Sequence, residues 1–143
     1  MKLIETIEQA EEFVLQLKRA ENWVSNEELL ALLNSCLKLI KTHKREDLLD
    51  HIYIHLSLYY IDIGDYNQAW EYAEAGKKYA KLYHHTEKLI NILSIQYKIQ
   101  NEIGSLEKAQ EIINEQIDNA YQINDAELIA SAYMNQAFLC HKQ

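Results

Sequence analysis

The stretch Tyr60–Ala73, YIDIGDYNQAWEYA, decides the fold. The residues on either side of it read as amphipathic helix, yet Gly64 stands in the middle. A glycine inside a helix costs about 1 kcal/mol relative to alanine, and this chain has only 3 Gly and no Pro in 143 residues. Gly64 therefore reads as punctuation. It follows an apolar run and precedes Asp65, so it can take the left-handed conformation that ends one helix. Asp65 can then cap the next, with Gln68 completing a capping box. Forty residues on, Gly104 closes IQYKIQNEI, Ser105 is placed to cap, and LEKAQEIINEQI follows. Ala69 and Ala109 each sit five residues after their glycine.

Sliding the chain on itself by 40 residues extends the repeat in both directions. Leu29, Ala69 and Ala109 align, as do Leu33, Ala73 and Ile113. Ile40, Ala80 and Ala120 form another set, followed by Leu49, Leu89 and Ile129, then Tyr53, Leu93 and Tyr133. Small or apolar residues recurring at one phase are what stacked helix pairs need, because each pair buries its exposed apolar face against the next. Val24 occupies the position forty before Gly64, so the first turn must be built differently.

The periodicity predicts seven helices, at 2–20, 26–42, 47–63, 66–83, 87–103, 106–122 and 126–141. Ile4, Ile7, Ala10, Phe13, Val14 and Leu17 make the stripe of the first. Ser25 with Glu28 fits a capping box for the second. No segment reads as a strand, a linker or low-complexity sequence. The last helix carries Ile129, Ala132, Tyr133, Met134, Phe138 and Leu139 around most of its circumference, and a helix apolar nearly all round is expected to be buried.

Residues 53–81 resemble a tetratricopeptide repeat. Tyr53 stands at the family's Trp position, Leu56 at its Leu, Ser57 at its small Gly and Tyr60 at its Tyr. Gly64-Asp65-Tyr66 resembles its inter-helix turn, and Ala69 its close-packing Ala. Ala73 replaces a Phe and Lys81 a Pro. The resemblance implies an all-α, right-handed solenoid of antiparallel helix pairs, about 3.5 repeats filling one domain over residues 1–143. The period of 40 rather than 34 places six extra residues at KREDLL, HHTEKL and NDAELI. Lengthened repeats of this kind resemble those of bacterial regulators, which implies the N-terminal part of a longer cytoplasmic signalling protein.

The resemblance also implies a concave face lined by the first helix of each pair. Its rows would be Glu11, Val14, Lys18 and Glu21; His51, Ile54, His55, Leu58 and Ile61; Asn91, Ser94, Lys98 and Asn101; and Ser131, Met134, Phe138 and His141. Apolar members of those rows would mark an interaction surface. The expected occupant is a basic or apolar protein or peptide segment. The rival expectation is a homodimer through the C-terminal helix that brings together attached effector domains, of diguanylate cyclase or DNA-binding type.

Composition narrows the classes further. The net charge is −8, with 22 acids against 14 Lys and Arg. The basic run KTHKR is followed at once by Glu46 and Asp47, so no stripe for nucleic acid is expected. The N-terminus has acids where a signal peptide would be apolar. No stretch approaches the ~18 apolar residues of a membrane span. Cys36 and Cys140 read as reduced thiols. No phosphate loop, dinucleotide glycine pattern, nucleophile elbow or zinc-protease motif is present, so the chain reads as a binding module rather than an enzyme, with no cofactor. His51 and His55 share a helix face and could place two imidazoles on one metal, but no third ligand stands at a telling spacing.

Overall fold

The computed structural model describes residues 4–17 and 26–142 and, at positions 26, 141 and 142, the backbone alone. Lys18, Glu21, Val24, Ser25 and the side chain of His141 therefore lie outside the described residues. Seven α-helices run through the rest: α1 Ile7–Leu15, α2 Asn26–Thr42, α3 Leu49–Asp62, α4 Tyr66–Leu82, α5 Thr86–Ile103, α6 Leu106–Ile123 and α7 Ala126–Lys142. A single 3-10 turn, Glu46–Leu48, leads into α3. Among the described residues there is no strand.

The turns show why the helices stop where they do. Lys44, Gly64, His84, Gly104 and Asn124 all take the left-handed conformation, with φ of 56°, 85°, 58°, 85° and 53°. They fall every 20 residues, so the 40-residue repeat is two turns of one design. The amide following each of the first four donates to the carbonyl five residues back. Arg45 bonds Ile40, Asp65 bonds Tyr60 and His85 bonds Ala80 at 2.9 Å, and Ser105 bonds Gln100 at 3.0 Å. This is the closure by which a left-handed residue satisfies carbonyls left open at a helix end. The next helix starts in step: Ala69, Leu89, Ala109 and Ile129 donate to Asp65, His85, Ser105 and Asp125 at 2.9–3.1 Å.

Capping follows the sequence unevenly. Asp65 Oδ1 accepts from the Gln68 amide at 3.1 Å, as expected. Ser105 holds the capping position without a side-chain bond, which corrects the reading that it caps. Its φ of −89° and ψ of 84° depart from the extended geometry that aims a hydroxyl at the first turn. The first helix is also shorter than its apolar stripe suggests, beginning at Ile7 rather than residue 2 and closing at Leu15. Thr6 Oγ1 accepts from the Gln9 amide and Gln9 Oε1 from the Thr6 amide, each at 3.2 Å. That reciprocal box was legible as Thr-x-x-Gln and sets the start. Likewise α3 begins at Leu49, two residues late, because Glu46–Leu48 is the tighter turn.

The helices group into two compact units, Met1–Tyr79 and Ala80–Gln143. In the first, α1 packs on α2 and α2 on α3. Ala10, Val14, Leu33, Cys36, Ile40, Leu49, Ile52 and Leu56 form its core. The buried Ser57 hydroxyl donates to the Ala69 carbonyl at 2.7 Å and ties α3 to α4. That contact explains a small residue at 57: the two backbones approach there. Arg45 joins α1 to the turn before α3. Its guanidinium grips both oxygens of Asp47, at 3.1 and 3.2 Å, and reaches Glu11 at 3.2 Å. In the second unit, α5 packs on α6 and α6 on α7. Its buried residues include Ile92, Leu93 and Ile99 of α5, Ala109, Ile113 and Ala120 of α6, and Ala132 and Leu139 of α7.

One polar position also repeats. Cys36 Sγ lies 4.0 Å from the Ala10 carbonyl. Eighty residues later Gln116 Nε2 lies 3.5 Å from the Ile90 carbonyl. Donor and acceptor shift together, so the α1–α2 and α5–α6 contacts share one geometry. The intermediate position is Gly76, which is buried.

Candidate interaction surface

The expected rows divide by burial. In the first, Val14 is in the core and Glu11 is committed to Arg45. On α3, Ile54 and His55 are 8% and 9% exposed, whereas His51, Leu58 and Ile61 are half-buried. His51 and His55 stand with ring centroids 5.0 Å apart. Among the described residues no three His, Cys, Asp or Glu gather as metal ligands do. On α5, Asn91 and Lys98 are exposed and Ser94 and Asn101 half-buried. On α7, Ser131 is exposed, and Met134 and Phe138 are 66% and 65% exposed.

Ser94 does not stand free. Gln116 Nε2 donates to its hydroxyl, and Gln116 Oε1 accepts from Asn135 Nδ2 at 3.2 Å. One fully buried amide on α6 thus joins α5 to α7. A second bridge lies nearer the surface, where Gln110 and Gln136 exchange hydrogen bonds of 2.7 and 3.1 Å. In the sequence, Gln116 is a visible anomaly, a glutamine at the apolar phase of Ile112, Ile113 and Ala120.

Tyrosine rings cluster about the α3–α4 turn. Tyr60 stacks on Tyr72 at 5.5 Å and meets Tyr59 edge-on at 5.2 Å. Tyr53 stacks on Tyr72 and Tyr79 at 5.9 and 6.2 Å. Burial pushes the Tyr60 phenol up from its ordinary range. These rings are packing groups.

The C-terminal helix departs most from expectation. It is not buried all round. Ala132 and Leu139 are fully buried, but Tyr133, Met134 and Phe138 stand 47–66% exposed. Ala126, Ala130, Ala137 and Cys140 are exposed beside them. On a helical wheel these seven residues cover about half the circumference, interrupted at one edge by Glu127 and Ser131. Tyr133 is tethered by its hydroxyl, 3.1 Å from that of Tyr121, and this bond raises the Tyr133 pKa.

A depression of about 220 Å³ lies in the second unit, lined by Ala80, Lys81, His84, Thr86, Leu89, Glu115, Asn119 and Gln122. Lys81 Nζ and Glu115 Oε1 pair there at 3.2 Å. The volume is below the roughly 300–1,000 Å³ of small-molecule sites. Among the described residues no helix is long and apolar enough to cross a membrane. Comparison with family models, with curated proteins and with solved structures finds no match to this chain.

Proposed function

We propose that this chain is a non-catalytic protein-interaction module of tetratricopeptide type, the sensory or regulatory part of a bacterial signalling protein. The observation that carries the reading is the exposed apolar half of α7, with Met134 66% and Phe138 65% exposed one helical turn apart. Contiguous apolar surface of this kind marks an interaction site in a soluble domain. The tetratricopeptide part rests on local geometry. The small residue Ser57 meets the Ala69 backbone, Tyr60 packs on the second helix through Tyr72, and Gly64 makes the left-handed turn. Asn91 and Lys98 add exposed polar contacts on α5, and Leu58 and Ile61 half-exposed apolar ones on α3.

Site-specific photo-crosslinking tests this in the native cell. A benzophenone amino acid at Phe138 should capture a discrete protein adduct. The same group at Glu107, exposed on α6, should capture much less. Equal or absent adducts at the two positions would reject the interaction surface.

A further inference from the structure

We propose that the partner of α7 is a second copy of this chain, the two α7 helices crossing antiparallel along Ala130 and Ala137. This rests on the reading of the chain as an interaction module and names what that surface holds.

The face is self-complementary. Ala130 and Ala137 run along its middle, Met134 and Phe138 form one edge, and Tyr133 and Cys140 the other. The two alanines flank the Tyr133–Met134 pair symmetrically. A two-fold axis through that pair sets Ala130 of one copy against Ala137 of the other. The small residues let the helices approach, and the large edges then flank the partner's backbone. A two-fold contact uses the same patch twice and demands this match.

Area and charge favour the same occupant. Tyr133 and Phe138 belong to side chains that bury 150–250 Å² each, and they are 47% and 65% exposed. With Met134 and the alanines, covering two such faces removes on the order of 1,000 Å², the lower bound for a biological interface. The chain carries −8 overall, so two copies repel except where charge is missing. The α7 face is such a place: Glu127 is the one charge at its edge among the described side chains. Antiparallel pairing holds the two Glu127 residues ~20 Å apart along the axis, about two Debye lengths at 0.1 M salt. Parallel pairing would set them side by side. A basic partner steered by the acidic surface would find a single carboxylate, Glu127, at the edge of this patch among the described side chains.

Sedimentation equilibrium of the full chain over a dilution series tests the proposal. Wild type should form a dimer. Ala130→Glu and Ala137→Glu, both at exposed positions, should each raise the dissociation constant more than tenfold while the helical circular dichroism stays unchanged. Orientation is read by oxidation in a Cys140→Ser background, which keeps the side chains small. Ala130→Cys with Ala137→Cys should give covalent dimer, and either cysteine alone much less. A wild-type monomer at every concentration overturns the dimer; Phe138 adducts to another protein would then leave the interaction-module reading standing. Dimers that survive both glutamates overturn the interface, and more crosslinking from single cysteines overturns the antiparallel arrangement.

Discussion

Asn124 ends α6 with φ of 53° and His84 ends α4 with φ of 58°, forty residues earlier. Both do with a side chain what Gly64 and Gly104 do without one. The backbone geometry repeats every 20 residues, whereas the residue that adopts it does not.

The turns therefore differ in strain. A Cβ built on Gly64 meets no atom within 4 Å, so Gly64→Val should cost about 1–2 kcal/mol through the left-handed backbone alone. The reverse change, His84→Gly, relieves the same strain and should stabilise by about 0.5 kcal/mol after the loss of unfolded-chain restriction. Urea midpoints at unchanged slope check both. A harmless Gly64→Val would mean the turn is not left-handed in solution.

Gln116 is fully buried and serves Ser94, Asn135 and the Ile90 carbonyl at once. Gln116→Leu keeps most of the volume but strips partners from half-buried Ser94 and Asn135. It should cost about 1–3 kcal/mol. If the variant unfolds at the wild-type urea midpoint, the network contributes nothing net.

Cys36 is fully buried, and desolvation pushes its thiol up to about 12 from 9.0. The folded state thus keeps the proton that the unfolded state releases. The stability it contributes is present below pH 9 and is lost as pH rises toward 12. Cys36→Ala should flatten the alkaline fall of the unfolding midpoint relative to wild type, and parallel curves would contradict the shift. At pH 8 a thiol reagent should label exposed Cys140 and spare Cys36 in the native protein.

The Arg45 ion pairs are partly exposed, with side chains 38–44% accessible. Arg45→Ala should lower the urea midpoint only slightly, and less at high salt. A large drop, unchanged in 1 M salt, would show that packing rather than charge holds α1 at this corner.

Secondary structure and local packing were legible in the residues. Alternation at three and four, the glycine-acid pair at 64 and 65, and recurrence of Ala69 and Ala109 suffice for seven helices and their order, because helix periodicity and turn chemistry act over a few neighbours. The helix start at Ile7 was equally local, in Thr6 and Gln9. Burial was another matter. An apolar residue states what it would gain by leaving water, not whether anything covers it. Val14 and Ile54 share a predicted face with Met134, yet tertiary packing buries the first two and leaves the third two-thirds exposed. The same holds for Lys44, whose side chain does not announce a left-handed backbone, while His84 and Asn124 belong to types enriched in that conformation without being fixed in it. Their conformation is imposed by the next helix, whose apolar stripe must return to the core, and the gain from that burial exceeds the strain of a single residue.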